Sequence, residues 1–129
     1  MSVPTNKKNA QELHTEISEW ISYVKLVRDE LKMYRFQLAE IISRNNNGEA
    51  LMQGQYFQNQ FIRQAEVIEG LYHELNAADQ VLTRKVNGNA SADQVLMVDH
   101  VALRNKVEAW NRLYNDEKIK YRSFRLQWF

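Results

Sequence analysis

Apolar residues recur along the first third of the chain at alternating steps of four and three residues. All nine positions of this seam are apolar or aromatic: Leu13, Ile17, Trp20, Val24, Val27, Leu31, Tyr34, Leu38 and Ile41. Such spacing is the heptad repeat of a helix that packs along one face against other helices. Asn9 and Glu12 have the spacing of a capping box at its start. We therefore predict a first helix over residues 9–44.

Two further segments repeat the pattern after short breaks. The break SRNNNGEA ends the first helix, and we expect one of its asparagines to cap a second helix over residues 49–86. The sequence around Gly54 has weak helix propensity, which predicts fraying or a kink near the start of that helix. The break VNGNAS precedes a third helix over residues 91–128, for which Ser91 and Gln94 have capping-box spacing.

The third seam differs from the first because two of its ten positions are polar. It reads Leu96, His100, Leu103, Val107, Trp110, Tyr114, Glu117, Tyr121, Phe124 and Trp128. Short breaks make consecutive helices antiparallel, so the pattern predicts an all-α, up-down-up three-helix bundle. The long, coiled-coil-like helices are expected to form a single domain over residues 1–129. His100 and Glu117 are then expected to be buried polar residues.

A register for the bundle follows from the two breaks. Residues of the first two helices whose numbers sum to about 94 should lie side by side, and for the second and third helices the sum is about 178. This register places His14, Asp79 and His100 on one level, with Glu16 within one turn. A buried polar group needs a hydrogen-bond partner, so we expect His100 to be bonded to Asp79 or to a backbone carbonyl.

The same level contains the candidate ligands for a metal ion, His14, Asp79 and His100. Helical bundles bind metals through inward histidines and carboxylates, often in Glu-x-x-His pairs that share one face. The spacing disfavours such a site, because Gln11, Gly70 and Met97 stand three residues before the histidines. We therefore predict no metal ligands and no cofactor. A bundle that binds a small ligand or a metal at this level is retained as the alternative function.

Glu117 is the second polar residue of the third seam. The register places it beside residue 61 and near residue 33 of the first helix. Arg35, Arg63 and Lys120 are the candidate counter-charges, and the alternative is that the carboxylate reaches solvent.

Composition and charge argue against several classes of function. The 17 Lys+Arg and 16 Asp+Glu residues leave a net charge of +1, which provides no field for binding nucleic acid. The C-terminal KIKYRSFRLQWF mixes basic and aromatic residues as single-strand binders do, but its rings lie on the seam. Seven basic and three acidic residues over 104–129, against three and five over 49–85, predict ion pairs between these two segments.

Membrane and enzyme classes are also disfavoured. The chain has no cysteine, no apolar run of membrane length and no apolar signal region at its start, so we expect a cytoplasmic protein with no membrane partner. Its four glycines form no phosphate-binding loop, and no nucleophile motif is present, so we predict that it is not an enzyme.

The segments EWISYVKLVRDELKMYRFQLAEI and FQNQFIRQAEVIEGLYHEL resemble short helical proteins of bacteria, of the kind found in the Bacteroidetes. The resemblance covers most of the chain but brings no functional motif and no activity. Apolar residues beside the seams, among them Leu26, Met33 and Phe36, either widen the core stripe or form a self-association face. The sequence thus favours a non-catalytic interaction module that binds itself, as in a homodimer, or another protein.

Overall fold

The computed structural model describes residues 9–87 and 94–129, except for the side chains of residues 86, 87 and 94–98. It contains three α-helices, α1 (Ala10–Arg44), α2 (Gly48–Asn87) and α3 (Gln94–Trp128). Within the described ranges no residue is in a β-strand. The predicted all-α three-helix bundle is therefore confirmed. The expected cap at Ser91 and the side chain of seam residue Leu96 lie outside the described residues.

Asparagines define the first helix boundaries. The Asn9 side chain accepts a hydrogen bond from the backbone N–H of Glu12 at 2.8 Å, as the capping-box spacing predicted. The Asn47 side chain accepts from the N–H groups of Glu49 and Ala50 at 2.9 and 3.2 Å, so it caps α2. Asn45 ends α1 and donates from Nδ2 to the carbonyl of Ile41 at 2.7 Å.

Contacts between α1 and α2 show that the two helices are antiparallel. The register derived from the sequence pairs residue 14 with residue 80 and residue 34 with residue 60. In the structure His14 contacts Asp79, and Tyr34 stacks on Phe61, one position away in each case. The short turn at residues 45–47 fixes this register.

α3 runs antiparallel to α2 and parallel to α1. Lys106 of α3 forms an ion pair with Glu74 of α2, two positions from the register derived from the sequence. The contacts of α3 with α1 instead join residues that are 80 to 88 positions apart all along the helices, such as Trp20 with His100 and Lys118 with Glu30. A nearly constant difference means that the two helices run in the same direction. The topology is up-down-up.

The seam residues form one core along the inner faces of the helices. Every residue of the first seam is buried except Trp20, which is partly buried. α1 and α2 pack together most extensively. α3 contacts them largely through rings that are at most 4% exposed: Trp110, Tyr114, Tyr121 and Phe124.

Five of the core rings form a cluster near the turn between α1 and α2. This aromatic cluster joins all three helices, and its ring centroids lie 5.0 to 6.2 Å apart in contacting pairs. Its members are Tyr34, Phe57, Phe61, Tyr121 and Phe124. Rings at these distances add specific edge and offset contacts to the burial of apolar area.

α2 is helical without a break from Gly48 through Gly54, so the predicted fraying at its start is not observed. A Cβ atom at Gly54 would lie 2.8 Å from Cγ1 of Ile42 and 3.7 Å from the Phe124 ring. The glycine therefore permits close approach of α1 and α2, and this tertiary packing overrides its weak helix propensity.

Two glycines of α2 make a matched pair for a stability test. At Gly70 an added Cβ meets nothing within 4 Å, so we expect Gly70→Ala to raise the free energy of unfolding by about 0.5–1 kcal/mol through helix propensity. At Gly54 the same gain is offset by the clash with Ile42, and overpacking costs about 1–3 kcal/mol. Urea unfolding of both variants checks the prediction. An equal gain at the two positions would contradict the tight packing at Gly54.

Candidate binding site around His100

His100 lies on the inner face of α3 with 3% of its surface exposed. Its position on the third seam turns it inward, because α-helical seam residues all face the other helices. The imidazole stacks on the indole of Trp20 from α1, with 5.0 Å between ring centroids and 27° between the planes. Two helices therefore fix the orientation of the ring.

A carboxylate of α1 also holds the imidazole. Nε2 of His100 forms a hydrogen bond with Oε1 of Glu16, and the same oxygen accepts from Nη2 of Arg104 at 2.6 Å. Glu16 and Arg104 have side chains that are 25% and 33% exposed, so the pair reaches the edge of the bundle. The buried histidine is thus connected to a charged pair that borders solvent.

His14 and Asp79 form a separate pair on the same level. Nδ1 of His14 lies 2.5 Å from Oδ1 of Asp79, and both side chains are about a quarter to a third exposed, at 32% and 24%. Asp79 bonds to His14 of α1, and His100 bonds neither to Asp79 nor to a backbone carbonyl, the two partners considered from the sequence, but to Glu16. Glu16 takes that place because the parallel contact of α1 with α3 brings it beside His100.

The level does not assemble a set of metal ligands. Over residues 9–87 and 94–129, no three His, Asp or Glu side chains come together in a geometry that could hold a metal ion. His14 with Asp79, and His100 with Glu16, are two pairs that each use one histidine and one carboxylate.

A cleft of about 390 Å³ opens between α2 and α3 beside His100. Its rim carries Asp99 and the ion pair between Glu74 and Lys106, whose atoms are 2.5 Å apart. Its walls are apolar and include Ile17, Ala78, Val81, Leu82, Ala102 and Leu103. Nδ1 of His100 is buried and has no hydrogen-bond partner among the described residues. Of the two ring nitrogens of His100, Nε2 is therefore hydrogen-bonded to a described residue and Nδ1 is not.

Glu117 lies at the edge of the bundle with a side chain that is 15% exposed. Its carboxylate accepts from the Tyr56 hydroxyl at 3.1 and 3.2 Å and from Nζ of Lys120 at 3.3 Å. The hydrogen bond to Glu117 raises the pKa of Lys120 above its ordinary value. Of the counter-charges considered from the sequence, the structure pairs Lys120 with Glu117.

Sequence reasoning missed a regular row of polar contacts between α1 and α3. We call it the polar ladder; its α1 members are spaced by seven residues and are Glu16, Tyr23, Glu30 and Gln37. In three of these contacts, the α1 side chain is hydrogen-bonded to a ring on the third seam and also to a cationic side chain four residues further along α3. These are His100 with Arg104, Tyr114 with Lys118, and Tyr121 with Arg125.

The polar ladder has a signal in the sequence. Each α1 member stands one position before an apolar seam residue, so a polar row at seven-residue spacing borders the core. The expected charge pairing between α3 and α2 is observed for Lys106 with Glu74, whereas Arg104 and Lys118 of the same basic segment bond to α1.

The raised pKa values of two tyrosines of α3 predict that the protein loses stability at alkaline pH. Burial and the hydrogen bond to Glu30 raise the pKa of Tyr114, and burial raises the pKa of Tyr121 to about 12. In the unfolded chain both ionise near pH 10, so the folded state retains protons that the unfolded state releases. The stabilisation is complete below about pH 10 and is lost as the pH rises towards 12.

Urea unfolding at pH 8, 10 and 11 measures this loss. We expect the free energy of unfolding to fall less steeply with rising pH in the double variant Tyr114→Phe with Tyr121→Phe than in the wild type. An unchanged steepness would show that other groups cause the decline.

Fold and site together define a three-helix bundle with a buried histidine beside an apolar cleft. Comparisons with protein-family models, with curated proteins and with solved structures each found no match to this chain. Over the described ranges, no helix combines the length and the apolar character needed to cross a membrane. The functional argument therefore rests on the surfaces and contacts of this chain.

Proposed function

We propose that the chain is a non-catalytic, cytoplasmic interaction module that associates with a second copy of itself. The observation that carries the proposal is the exposure of large apolar side chains on the outer face of α1. Leu26, Met33 and Phe36 are 65%, 56% and 78% exposed. They lie at spacings of seven and three residues and so share one face, and an exposed apolar face of this kind marks an interaction surface.

One strip of the outer face of α1 carries charges of a single sign, whereas Lys25 and Lys32 are exposed beside it. We define the α1 stripe as residues 12, 15, 19, 22, 26, 29, 33, 36, 40 and 43, all of which are exposed. Every charged residue on it is acidic: Glu12, Glu19, Asp29 and Glu40. The α1 stripe is therefore apolar at its centre and negative around it.

The outer face of α3 has the complementary character. We define the α3 stripe as residues 101, 105, 108, 112, 115, 119, 122, 126 and 129, which are also exposed. Ile119 and Leu126 are 66% and 75% exposed, and the stripe carries Arg112 and Arg122 against one acidic residue, Glu108. The difference of 84 to 88 between contacting residues places Ile119 at the level of Met33.

These two stripes are adjacent on parallel helices, which suits a two-fold dimer. A two-fold axis places the α1 stripe of one copy on the α3 stripe of the other, so each interface patch is used twice. By the same difference in residue number, Met33 then lies at the level of Ile119 of the other copy. Asp29 and Glu40 lie within about one helical turn of Arg112 and Arg122. Complementary charge of this kind favours the correct orientation of two copies more than it adds affinity.

Catalysis is disfavoured because His100, the best candidate for a general acid or base, is buried and already hydrogen-bonded. His100 is 3% exposed, and its Nε2 atom is bonded to Glu16. A different protein that presents a similar apolar and basic surface is the alternative partner.

Sedimentation equilibrium over a range of protein concentrations tests the proposal. We expect a reversible dimer for the wild type and at least a tenfold weaker association, about 1.4 kcal/mol, for the double variant Met33→Ser with Phe36→Ser. The control is Leu113→Ser, which removes a side chain that is 62% exposed but lies outside both stripes. A wild type that stays monomeric at millimolar concentration, or equal weakening by the control, would contradict self-association.

A further inference from the structure

We propose that the cleft between α2 and α3 is a binding site for a compact, largely apolar molecule that donates a hydrogen bond to Nδ1 of His100. This inference is independent of the dimer, because the cleft lies between α2 and α3 and the two stripes lie on α1 and α3. It rests on the shape of the cleft, on the unbonded nitrogen and on the charges around them.

The volume and lining of the cleft suit a small ligand. Small-molecule sites are mostly apolar concavities of about 300–1,000 Å³ with a few polar groups. The cleft, at about 390 Å³, is at the lower end of this range, and six of its lining residues are apolar. A compact ring system fits such a volume better than a peptide helix does.

Among the described residues that line the cleft, His100 supplies a polar atom, Nδ1, that is both buried and unbonded. The ring is held by Trp20 on one face and by Glu16 at Nε2, so its orientation is set before any ligand arrives. A buried nitrogen without a partner costs about 1–3 kcal/mol, and a ligand that bonds to Nδ1 recovers this free energy. The orientation of the ring is thus preorganised, and a ligand that bonds to Nδ1 displaces the atoms that cover this nitrogen.

The bond to Glu16 determines which kind of ligand group is expected. The Glu16 carboxylate accepts a hydrogen bond from Nε2, so Nε2 carries a proton, and Nδ1 is an acceptor in the neutral form of the ring. The charged residues that line the cleft are Glu74, Asp99 and Lys106, so its rim has one more negative than positive charge and disfavours an anion. The expected ligand is a neutral or cationic molecule with an N–H or O–H group, such as a nitrogen heterocycle or an alcohol.

Indole and indene are the probes for the test, since they have nearly the same shape and only indole has an N–H donor. Each is titrated into the purified chain while the ¹⁵N shift of the His100 imidazole is followed by NMR. We expect a saturable shift of Nδ1 with indole and about tenfold weaker binding of indene. Equal affinities, or no saturable shift with either probe at millimolar concentration, would overturn the proposal.

Ala102→Phe provides the second arm of the experiment, because Ala102 is exposed and lines the cleft. A phenyl ring there fills the cleft and is expected to abolish indole binding. The matched control is Ala39→Phe, an exposed position on α1 outside the cleft, which we expect to bind indole as the wild type does. If Ala102→Phe does not fold, Val81→Phe on the opposite wall replaces it. Unchanged binding in the folded cleft variant would contradict the site.

Discussion

Phe61→Ala is expected to lower the free energy of unfolding by about 3–5 kcal/mol. Phe61 is 2% exposed and lies at the centre of the aromatic cluster. Its ring contacts Tyr34 on α1, Phe57 on α2 and Tyr121 on α3, at centroid distances of 6.2, 6.1 and 5.0 Å. Truncation removes contacts with all three helices at once. A cavity walled by other large rings cannot close without moving a helix, so the loss includes a cavity contribution as well as burial.

Urea unfolding followed by circular dichroism measures this effect. The matched control is Phe36→Ala, which removes the same atoms from a side chain that is 78% exposed and is expected to change stability by less than about 0.5 kcal/mol. The comparison is made at a protein concentration too low for association. Because domains of this size are stable by about 5–15 kcal/mol, the Ala variant can approach global unfolding.

Phe61→Leu removes less volume and serves as a second variant if Phe61→Ala does not fold. We expect its loss of stability to lie between those of Phe36→Ala and Phe61→Ala. Equal stability of the buried and exposed Ala variants would contradict the placement of Phe61 in the core.

The direction and register of α1 and α2 could be predicted from the sequence because two simple constraints determine them. An unbroken heptad seam defines which face of α1 is inward, and a break of three residues leaves no choice but an antiparallel neighbour. His14 and Tyr34 accordingly contact residues within one position of those expected. Loop length and periodicity were sufficient for this part of the fold.

The partner of His100 could not be predicted by the same reasoning. The register was built from the two turns, so it relates α1 to α2 and α2 to α3, whereas the observed bond joins α3 to α1. That parallel contact depends on how each helix is rotated about its axis. The rotation turns Asp79 towards α1 and leaves Glu16 as the carboxylate beside His100. The level was right and the pairing was wrong.

Gly54 shows that helix propensity alone can misjudge the role of a residue in a packed helix. Propensity alone treats glycine as a weakness in a helix, but here the absence of Cβ lets α2 lie against Ile42. Only the packed structure distinguishes this glycine from Gly70, where there is open space.

The polar ladder predicts that Glu16→Ala lowers the free energy of unfolding by about 2–4 kcal/mol. The change leaves Nε2 of His100 buried without a partner and removes the carboxylate that Arg104 bonds at 2.6 Å. The loss is smaller than for a fully buried ion pair because Glu16 is 25% exposed. The matched control is Glu19→Ala, one turn along α1 on the exposed face, with an expected change of less than about 0.5 kcal/mol.

A double-mutant cycle separates the bond to His100 from the general cost of the substitution. We expect the losses from Glu16→Leu and His100→Leu to be non-additive by about 1–3 kcal/mol, with the double variant more stable than the sum of the single losses predicts. The physical reason is that Glu16→Leu alone leaves Nε2 of His100 buried without its partner, whereas the double variant also removes that nitrogen. Urea unfolding of the four chains supplies the measurements. Additive losses would show that Glu16 and His100 are not coupled, and would remove the basis for a ring held in a fixed orientation beside the cleft.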